Sequence, residues 1–170
     1  MRYQVHPATS ADVAYVASLL EDEPAAADWP EKEPGRRLIE ACAFSTQIWA
    51  ARRRSDGATS ALWGVTPRLD NPEIGHLWMM SVAGFEGESR EFSMLCRLVF
   101  SELLDQFPRL EQHIDAREDR TLELLQGLGF HIGEPQRQLG SSTAYHHVWI
   151  ESQSFDHLTS KPSRSTTLVH

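Results

Sequence analysis

Cysteine is scarce in this chain, which holds only Cys42 and Cys96 among 170 residues. Small secreted domains that depend on disulfide bonds carry many more cysteines, so a disulfide framework is not expected. Both cysteines lie in apolar stretches of helical spacing, where a free cysteine usually behaves as a small buried side chain. We therefore expect two free, buried thiols.

Long apolar runs are also missing from the sequence. No stretch approaches the roughly 20 apolar residues that a membrane-spanning helix requires. Residues 1–7 lack the apolar core of a secretory signal, which leads us to expect a cytoplasmic protein. Apolar residues make up 41% of the chain, an ordinary share for a soluble globular domain.

Positive charge is in short supply as well. The chain has 16 Lys and Arg residues against 24 Asp and Glu residues, which gives a formal net charge of −8. Broad binding to nucleic acid or to an anionic membrane needs a positive surface, so both are excluded as partners. The one basic run is Arg52, Arg53 and Arg54, and we interpret it as the solvated end of a strand rather than an anion site.

Apolar spacing predicts strands and helices that alternate along the chain. Ser55, Asp56 and Gly57 predict a hairpin turn, because Asp-Gly accommodates the positive dihedral angles that a tight turn needs. The predicted strands are residues 3–7, 46–53, 61–66, 74–82, 110–116, 130–135 and 144–151. The predicted helices are residues 10–20, 34–43, 89–106 and 119–128, with Ser10 capping the first and Asp119 the last.

One domain and a tail are expected. A chain of 170 residues is long enough for one well-filled core and short for two. From residue 152 onward the sequence is rich in Ser and Thr and has few apolar residues. We therefore predict a single domain over residues 1–151 and a mobile tail over residues 152–170. Docking of that tail on a partner is the alternative.

Residues 110–135 carry the clearest local pattern. A strand with Leu110 and Ile114 leads through a polar break into a helix with Leu122 and Leu125 at helical spacing. Gly129 follows, where a helix often ends in a left-handed conformation that other residues avoid. A strand, a helix and a second strand within so few residues are typical of α/β proteins.

The predicted order is strand, helix, helix, three strands, long helix, strand, helix and two strands. Over residues 2–151 this order resembles the GCN5-related N-acetyltransferase (GNAT) fold. The resemblance implies an α/β (α+β) protein with a mixed central sheet of about six to seven strands flanked by about four helices. Within that superfamily, several short segments are similar to the internal virion protein A-like family of tailed phages. Those segments are Trp49-Ala50-Ala51, Trp63-Gly64-Val65, Arg90-Glu91-Phe92, Pro108-Arg109-Leu110, Asp115-Ala116-Arg117, Leu128-Gly129-Phe130 and Gly133-Glu134-Pro135.

In catalytic members of the GNAT fold, acetyl-CoA lies where two central strands splay apart. Its pantetheine pairs with the strand before the long helix, and its pyrophosphate binds a glycine-rich turn at the start of that helix. Unpaired N–H groups and the helix dipole favour an anion there. The resemblance therefore implies acetyl-CoA as the co-substrate. The binding residues that it implies are Met80, Ser81, Val82, Gly84, Gly87, Glu88, Ser89 and Arg90.

The sequence departs from the GNAT pattern in this turn and elsewhere. Glu86 stands where the turn normally has a second small residue, although Gly87 can substitute for it. Glu86 and Glu88 also place negative charge beside the expected pyrophosphate, and one such contact costs on the order of 1 kcal/mol. Leu125 stands where catalytic members often carry a Tyr that protonates the leaving thiolate, and Glu118 stands where they often carry an Asn.

Acetyl transfer to an amine needs a base near the nucleophile. His76 lies on the most apolar predicted strand and Glu73 lies just before it, so either can act as the base, directly or through water. Asp115 ends a strand, where open α/β sheets place ligands. The structural alternative for His76 is a strand histidine with a satisfied hydrogen bond. For Glu73 the alternative is a solvated glutamate, and for Asp115 it is a turn acceptor. His146 and His147 are neighbours in a strand and face opposite sides, so they are not expected to share a metal ion.

Two classes of function follow. The first is an acyltransferase that moves an acetyl group from acetyl-CoA to an amine of a small molecule or a protein. The second is a phage-encoded accessory or virion-assembly protein that keeps the fold without the chemistry and binds a phage or host protein. Its expected location is the host cytoplasm or the virion. A homodimeric binding module that uses exposed aromatic residues is a third alternative.

Overall fold

The computed structural model describes residues 1–22, 34–82, 89–137 and 139–153. Its helices are α1 (Ser10–Asp22), α2 (Pro34–Phe44), α3 (Ser89–Leu104) and α4 (Asp119–Gly127). Its strands are β1 (Tyr3–Pro7), β2 (Gln47–Arg53), β3 (Thr59–Pro67), β4 (Ile74–Ser81), β5 (Arg109–Asp115), β6 (His131–Ile132), β7 (Gln136–Arg137) and β8 (Ala144–Glu151). None of the helices in these ranges is long and apolar enough to cross a membrane.

The strands form one mixed sheet in the order β1-β2-β3-β4-β5-β8-β6, and β7 also pairs with β8. Neighbours are antiparallel everywhere except at β4 and β5, which are parallel. The predicted fold class and order of elements are confirmed. The sheet has one short strand more than expected, because Gln136–Arg137, which lies outside the predicted strands, pairs with β8.

One face of the sheet carries the main core together with α3 and α4. Trp63, Leu77 and Leu110 from the central strands form a cluster with Phe100 of α3 and Leu125 of α4, and all five are fully buried. Burying a side chain of this kind contributes roughly 1.5–3 kcal/mol relative to leaving it exposed. The long helix predicted from apolar spacing therefore positions the central strands.

The opposite face is covered by α1 and α2 over the first part of the sheet. Val16 of α1 and Leu38 of α2 form a second cluster with Ala50 and Leu62. Leu38 is buried, whereas the adjacent Ile39 is 52% exposed, since consecutive helical residues lie about 100° apart. Among the described residues, this cluster takes side chains from β2, β3 and β4 and none from β5 or β8.

Trp78 of β4 belongs to this second face and depends on a glycine in the neighbouring strand. A Cβ added at Gly64 would lie 2.1 Å from the Trp78 ring, so only glycine leaves room for the indole. The indole N–H donates a hydrogen bond to Ser45 Oγ at 2.8 Å. Trp78 therefore fixes β4 against the segment that follows α2.

Thr9 caps α1, and the prediction that Ser10 does so is wrong. The Thr9 N–H donates to Asp12 Oδ2 at 2.7 Å, and Thr9 Oγ1 accepts the Asp12 N–H at 3.4 Å, as in a capping box. The Asp12 carboxylate also accepts hydrogen bonds from Arg52 at 2.8 Å and from Thr59 at 2.6 Å. The interpretation of the basic run as solvated is therefore wrong for Arg52, which ties β2 to α1.

The ends of α4 confirm one prediction and correct another. Glu118 precedes the helix without a side-chain capping hydrogen bond, and Asp119 is the first helical residue, so the predicted Asp119 cap is wrong. Gly129 has a φ of 98°, which confirms the left-handed residue after the helix. The Phe130 N–H then donates to Leu125 O at 3.0 Å and closes the helix end.

Candidate functional site

The parallel strands β4 and β5 share only a short ladder. β4 continues to Ser81 and stays paired with β3 along its length, while β5 continues to Asp115. Within the described ranges, the two strands form no pair beyond the third, so a gap in the ladder opens toward the end of β4. The three pairs are Ile74 with Arg109, Gly75 with Leu110 and His76 with Glu111.

β4 presents backbone groups to this gap. The Val82 N–H donates to Ser60 O at 2.9 Å, and at the other end of β4 the Arg68 N–H donates to Ile74 O at 2.9 Å. Even-numbered residues of β4 therefore bond to β3. Because bonding directions alternate in an antiparallel ladder, the N–H and C=O of Met79 point toward β5. A linear ligand with amide groups can pair with such an edge as an added strand does.

Three of the predicted cofactor residues lie at the end of β4. Ser81 is paired with Ala61 of β3. Met80 and Val82 pack against the cluster formed by α1 and α2. The side chains of Met80 and Val82 therefore support the strand from the helix side, while their N–H and C=O groups point to β3. The backbone groups of Met79 and Ser81 are the ones that point toward the gap.

The other predicted cofactor residues lie at the start of α3 or just before it. Ser89 is the first residue of α3, and Arg90 in its first turn is exposed. Gly84, Gly87 and Glu88 lie outside the described residues. The described part of the predicted anion site is thus the first turn of a 16-residue helix, whose N–H groups and dipole favour negative charge.

His76 lies on the last pair of the β4–β5 ladder, beside the gap. The residue is exposed as a whole, while its ring stacks against that of His113 with 6.5 Å between centroids. Desolvation of the ring lowers the pKa of His76, and so does the positive charge that His113 carries when protonated; Glu111 opposes both. His76 is therefore a neutral imidazole at pH 7, the form that accepts a proton.

The two predicted carboxylates are placed differently. Glu73 is exposed in the turn before β4, and its N–H donates to Asn71 Oδ1 at 3.1 Å. It lies about 10 Å from His76 along an extended strand, at the paired end of the ladder. Asp115 lies at the other end, where Arg117 donates to it at 2.8 Å. Hydrogen bonds from the Arg117 side chain and backbone lower the pKa of Asp115, so it stays ionised.

Glu111 is a buried carboxylate that sequence reasoning missed, and it is 4% exposed. Arg68 donates to its Oε1 at 2.8 Å, His147 Nε2 lies 3.1 Å from its Oε2, and Arg109 Nε lies 3.7 Å from the same oxygen. Burial alone would raise the pKa of Glu111, but the hydrogen bonds from His147 and Arg68 outweigh burial and lower it. Glu111 is therefore ionised at neutral pH.

Three imidazoles, His76, His113 and His147, lie side by side on β4, β5 and β8, and they are termed here the histidine row. The centroids of His113 and His147 are 5.1 Å apart, with 28° between the ring planes. The ring stack continues through Trp149, 5.1 Å from His147, to His131, 5.5 Å from Trp149. Burial lowers the pKa of His113, followed by the charge of a protonated His147. His113 is thus neutral at pH 7 as well.

His146 and His147 point to opposite faces of β8, as their adjacency in a strand predicts. His146 Nδ1 lies 2.7 Å from Gly133 O, whereas His147 reaches Glu111 on the other face. In the part of the chain that the structure describes, no group of three or more His, Cys, Asp or Glu residues is arranged to hold a metal ion.

Two positions of chemical interest lie inside the core. Leu125, where a catalytic Tyr often stands in this fold, is fully buried in the α3 and α4 core. Cys96 is fully buried too, and burial raises the pKa of its thiol to about 12. Both side chains therefore lie in the core rather than in the gap.

The fold is similar to those of solved acetyltransferases. The GCN5-related N-acetyltransferase from Kribbella flavida has a TM-score of 0.66 at 15% identity, over 88% of this chain and 98% of that chain. The yncA protein from Salmonella typhimurium, whose structure contains its cofactor acetyl-CoA, has a TM-score of 0.65 at 13% identity, over 89% and 94%. A mutant of the spermidine N-acetyltransferase SpeG from Vibrio cholerae has a TM-score of 0.63 at 9% identity, over 94% and 99%.

The sequence itself gives no such match. No family model matches it, and no curated protein matches it by sequence. At identities of 9–15% the likeness is one of fold. The strand order, the short parallel ladder and the similarity to these structures together establish that the chain has the fold of the GCN5-related N-acetyltransferases.

Proposed function

We propose that the chain is a GNAT-type acyltransferase that moves an acetyl group from acetyl-CoA to an amine. The observation that carries this proposal is the early end of the β4–β5 ladder, which leaves the Met79 backbone facing a gap. A pantetheine chain contains two amide groups and can pair with that edge. Acetyl-CoA in the yncA structure, which has the same fold, supports acetyl-CoA as the co-substrate.

The acetyl-CoA site is proposed to use the end of β4, the connecting segment and the first turn of α3. The strand edge pairs with the pantetheine, and the helix N-terminus binds the pyrophosphate. The proposed contacts are Met80, Ser81, Val82, Gly84, Gly87, Glu88, Ser89 and Arg90.

His76 is the proposed general base. It lies beside the gap, and its neutral imidazole takes a proton from the ammonium group of the acceptor. The free amine attacks the thioester carbonyl carbon, a C–N bond forms and the C–S bond breaks. The leaving thiolate takes up the second proton that the nitrogen loses. Glu73 and Asp115 are the alternative bases, acting through water.

The proposed acceptor is an amine of a small molecule, with a protein amine as the alternative. The spermidine N-acetyltransferase that shares the fold is named for a small-molecule amine. A net charge of −8 attracts a cationic amine rather than a polyanion. We place the reaction in the cytoplasm and the site within a domain of residues 1–151, with residues 152–170 as a separate tail.

Titration with acetyl-CoA, followed by thermal unfolding, tests the proposal. The midpoint should rise with ligand concentration, since a ligand at 100 times its Kd stabilises the folded chain by about 2.7 kcal/mol. Gly84→Glu should abolish the rise, because it places a carboxylate at the proposed pyrophosphate contact. Gly127→Glu is the matched control, since a Cβ there meets no atom within 4 Å. A flat titration of the wild-type chain contradicts the proposal.

A phage accessory protein that keeps the fold without the chemistry is the second candidate function. Leu125 favours it, because a buried leucine occupies the position of the usual general acid. Segments such as Trp63-Gly64-Val65 are the basis for the phage assignment. Such a protein binds a phage or host protein in virion assembly, as a monomer or a homodimer. This second function predicts that acetyl-CoA leaves the thermal midpoint unchanged and that a protein partner co-purifies with the chain. Light scattering shows whether the chain is a dimer.

A further inference from the structure

His76 is connected to a buried ion pair by neighbouring imidazoles. His113 lies next to it at 6.5 Å between ring centroids, and His147 follows at 5.1 Å. His147 in turn lies 3.1 Å from the carboxylate of Glu111, which Arg68 holds at 2.8 Å. The three rings and the carboxylate occupy one face of three neighbouring strands. Two further imidazoles, those of His113 and His147, therefore lie between His76 at the gap and Glu111.

Glu111 determines which nitrogen of His147 carries a hydrogen. An ionised carboxylate only accepts hydrogen bonds, so His147 Nε2 must be the donor at 3.1 Å. Nδ1 of His147 is then free of that proton in the neutral ring and can accept another. Protonation at Nδ1 leaves the contact between the Nε2–H group and the Glu111 carboxylate in place.

We propose that the histidine row carries the proton that His76 takes from the acceptor amine to His147, where Glu111 stabilises it before release to solvent. This inference rests on the proposed acyltransferase function. Each step moves one proton, through water, from an imidazolium to the next neutral imidazole, and no other bond changes. His113 and His147 are therefore positioning residues that restore the neutral form of His76.

Charged groups near the histidine row shift the pKa values of His76 and His113 in opposite directions. Glu111 favours the protonated forms of His76 and His113, and Arg68 disfavours them. The Arg68 guanidinium is shared between Glu111 and Asp70, which moderates its effect on the row. Protonation of one ring disfavours protonation of the next, so the row holds few protons at a time.

Histidine titration by NMR tests this inference without any need for turnover. The full chain with labelled histidine is titrated from pH 4.5 to pH 9, as wild type and as His113→Gln. Loss of the neighbouring positive charge should raise the titration midpoint of His76 by about 0.5–1 pH unit. His131→Gln is the matched control, since it removes an exposed ring beyond Trp149, and it should leave the His76 midpoint unchanged. An unchanged midpoint in His113→Gln overturns the inference.

Kinetics with acetyl-CoA and spermidine separate this inference from the proposed function. His147→Gln should lower kcat by about 10-fold and shift its pH profile, with the KM for acetyl-CoA and the thermal response to acetyl-CoA unchanged. Wild-type kcat and pH profile in His147→Gln overturn the histidine row as a proton carrier while acetyl transfer stands. A wild-type chain that gives no thermal response to acetyl-CoA overturns the proposed function, whatever the coupling of the rings.

Discussion

Asp12 is 2% exposed, the most deeply buried carboxylate among the described residues. Asp12→Asn leaves the Arg52 guanidinium without its carboxylate, and because the Arg52 side chain is 38% exposed we expect the free energy of unfolding at pH 7 to fall by about 2 kcal/mol. Urea unfolding measures this loss. Asp105→Asn, at an exposed position beyond α3, is the control and should change little. A loss of equal size in both variants contradicts the role given to the pair of Asp12 and Arg52.

The same residue predicts how stability depends on pH. Burial alone would raise the pKa of Asp12, but hydrogen bonds from Arg52, Thr59 and Thr9 outweigh it, so the folded pKa lies below the ordinary 3.8. Its contribution is therefore fully present above the unfolded pKa and is lost as pH falls toward the folded value. Urea unfolding between pH 5 and pH 3 tests this: the part of the fall in the free energy of unfolding that comes from Asp12 should be missing in Asp12→Asn.

Single residues were also where sequence reasoning was weakest. Asp12 and Arg52 are 40 residues apart, and nothing in either neighbourhood marks them as partners. The cap predicted at Ser10 was displaced by one residue because Thr9 offers the same hydroxyl chemistry next to it. His76, in contrast, could be selected as a candidate because an imidazole on an apolar central strand is unusual.

At the scale of the element, Gly64 of β3 gives a direct test of packing. Gly64→Ala places a Cβ within 2.1–2.4 Å of the Trp78 ring, so the indole must move or the strands must separate. We expect the free energy of unfolding to fall by about 1–3 kcal/mol, with a changed near-UV tryptophan signal. Gly127→Ala, where a Cβ meets nothing within 4 Å, should leave both unchanged. A silent Gly64→Ala contradicts this packing.

Helices and strands could be predicted because each depends on local spacing. The apolar face of α3 and the end of α4 at Gly129 can each be predicted from one short stretch of sequence. The histidine row is different, because it depends on the register that sets His113 opposite His147. The alternation of side chains along a strand assigns each ring to one face of its own strand. It does not show which strands are neighbours or where a ladder between them ends.

At the scale of the whole molecule, the division into a domain and a tail can be tested by truncation. The Ser152 N–H donates to Pro108 O at 3.0 Å, so the last described residues are still tied to the sheet. Removing residues 154–170, which contain few apolar side chains, should keep the thermal midpoint within about 2 °C. A large fall in the midpoint would show that this segment docks on the domain.

The order of elements was sufficient to identify the fold, whereas the candidate site needed the sheet. Acetyl-CoA contacts were expected from resemblance alone, and part of them lies outside the described residues. The gap beside Met79 arises from a ladder that stops after three pairs, which no local pattern encodes. The buried Glu111 and its partners come from three strands that lie far apart in the chain.

The short parallel contact of β4 and β5 divides the sheet into two antiparallel sectors, β1 to β4 on one side and β5 to β8 on the other. Of the residues that the structure describes, only three pairs join these sectors directly, and α3 lies across both through β1, β2 and β5. Any molecule that bonds to both strands within the gap therefore connects the two sectors. Its binding slows amide hydrogen exchange in strands that it never touches, because the sectors then open together.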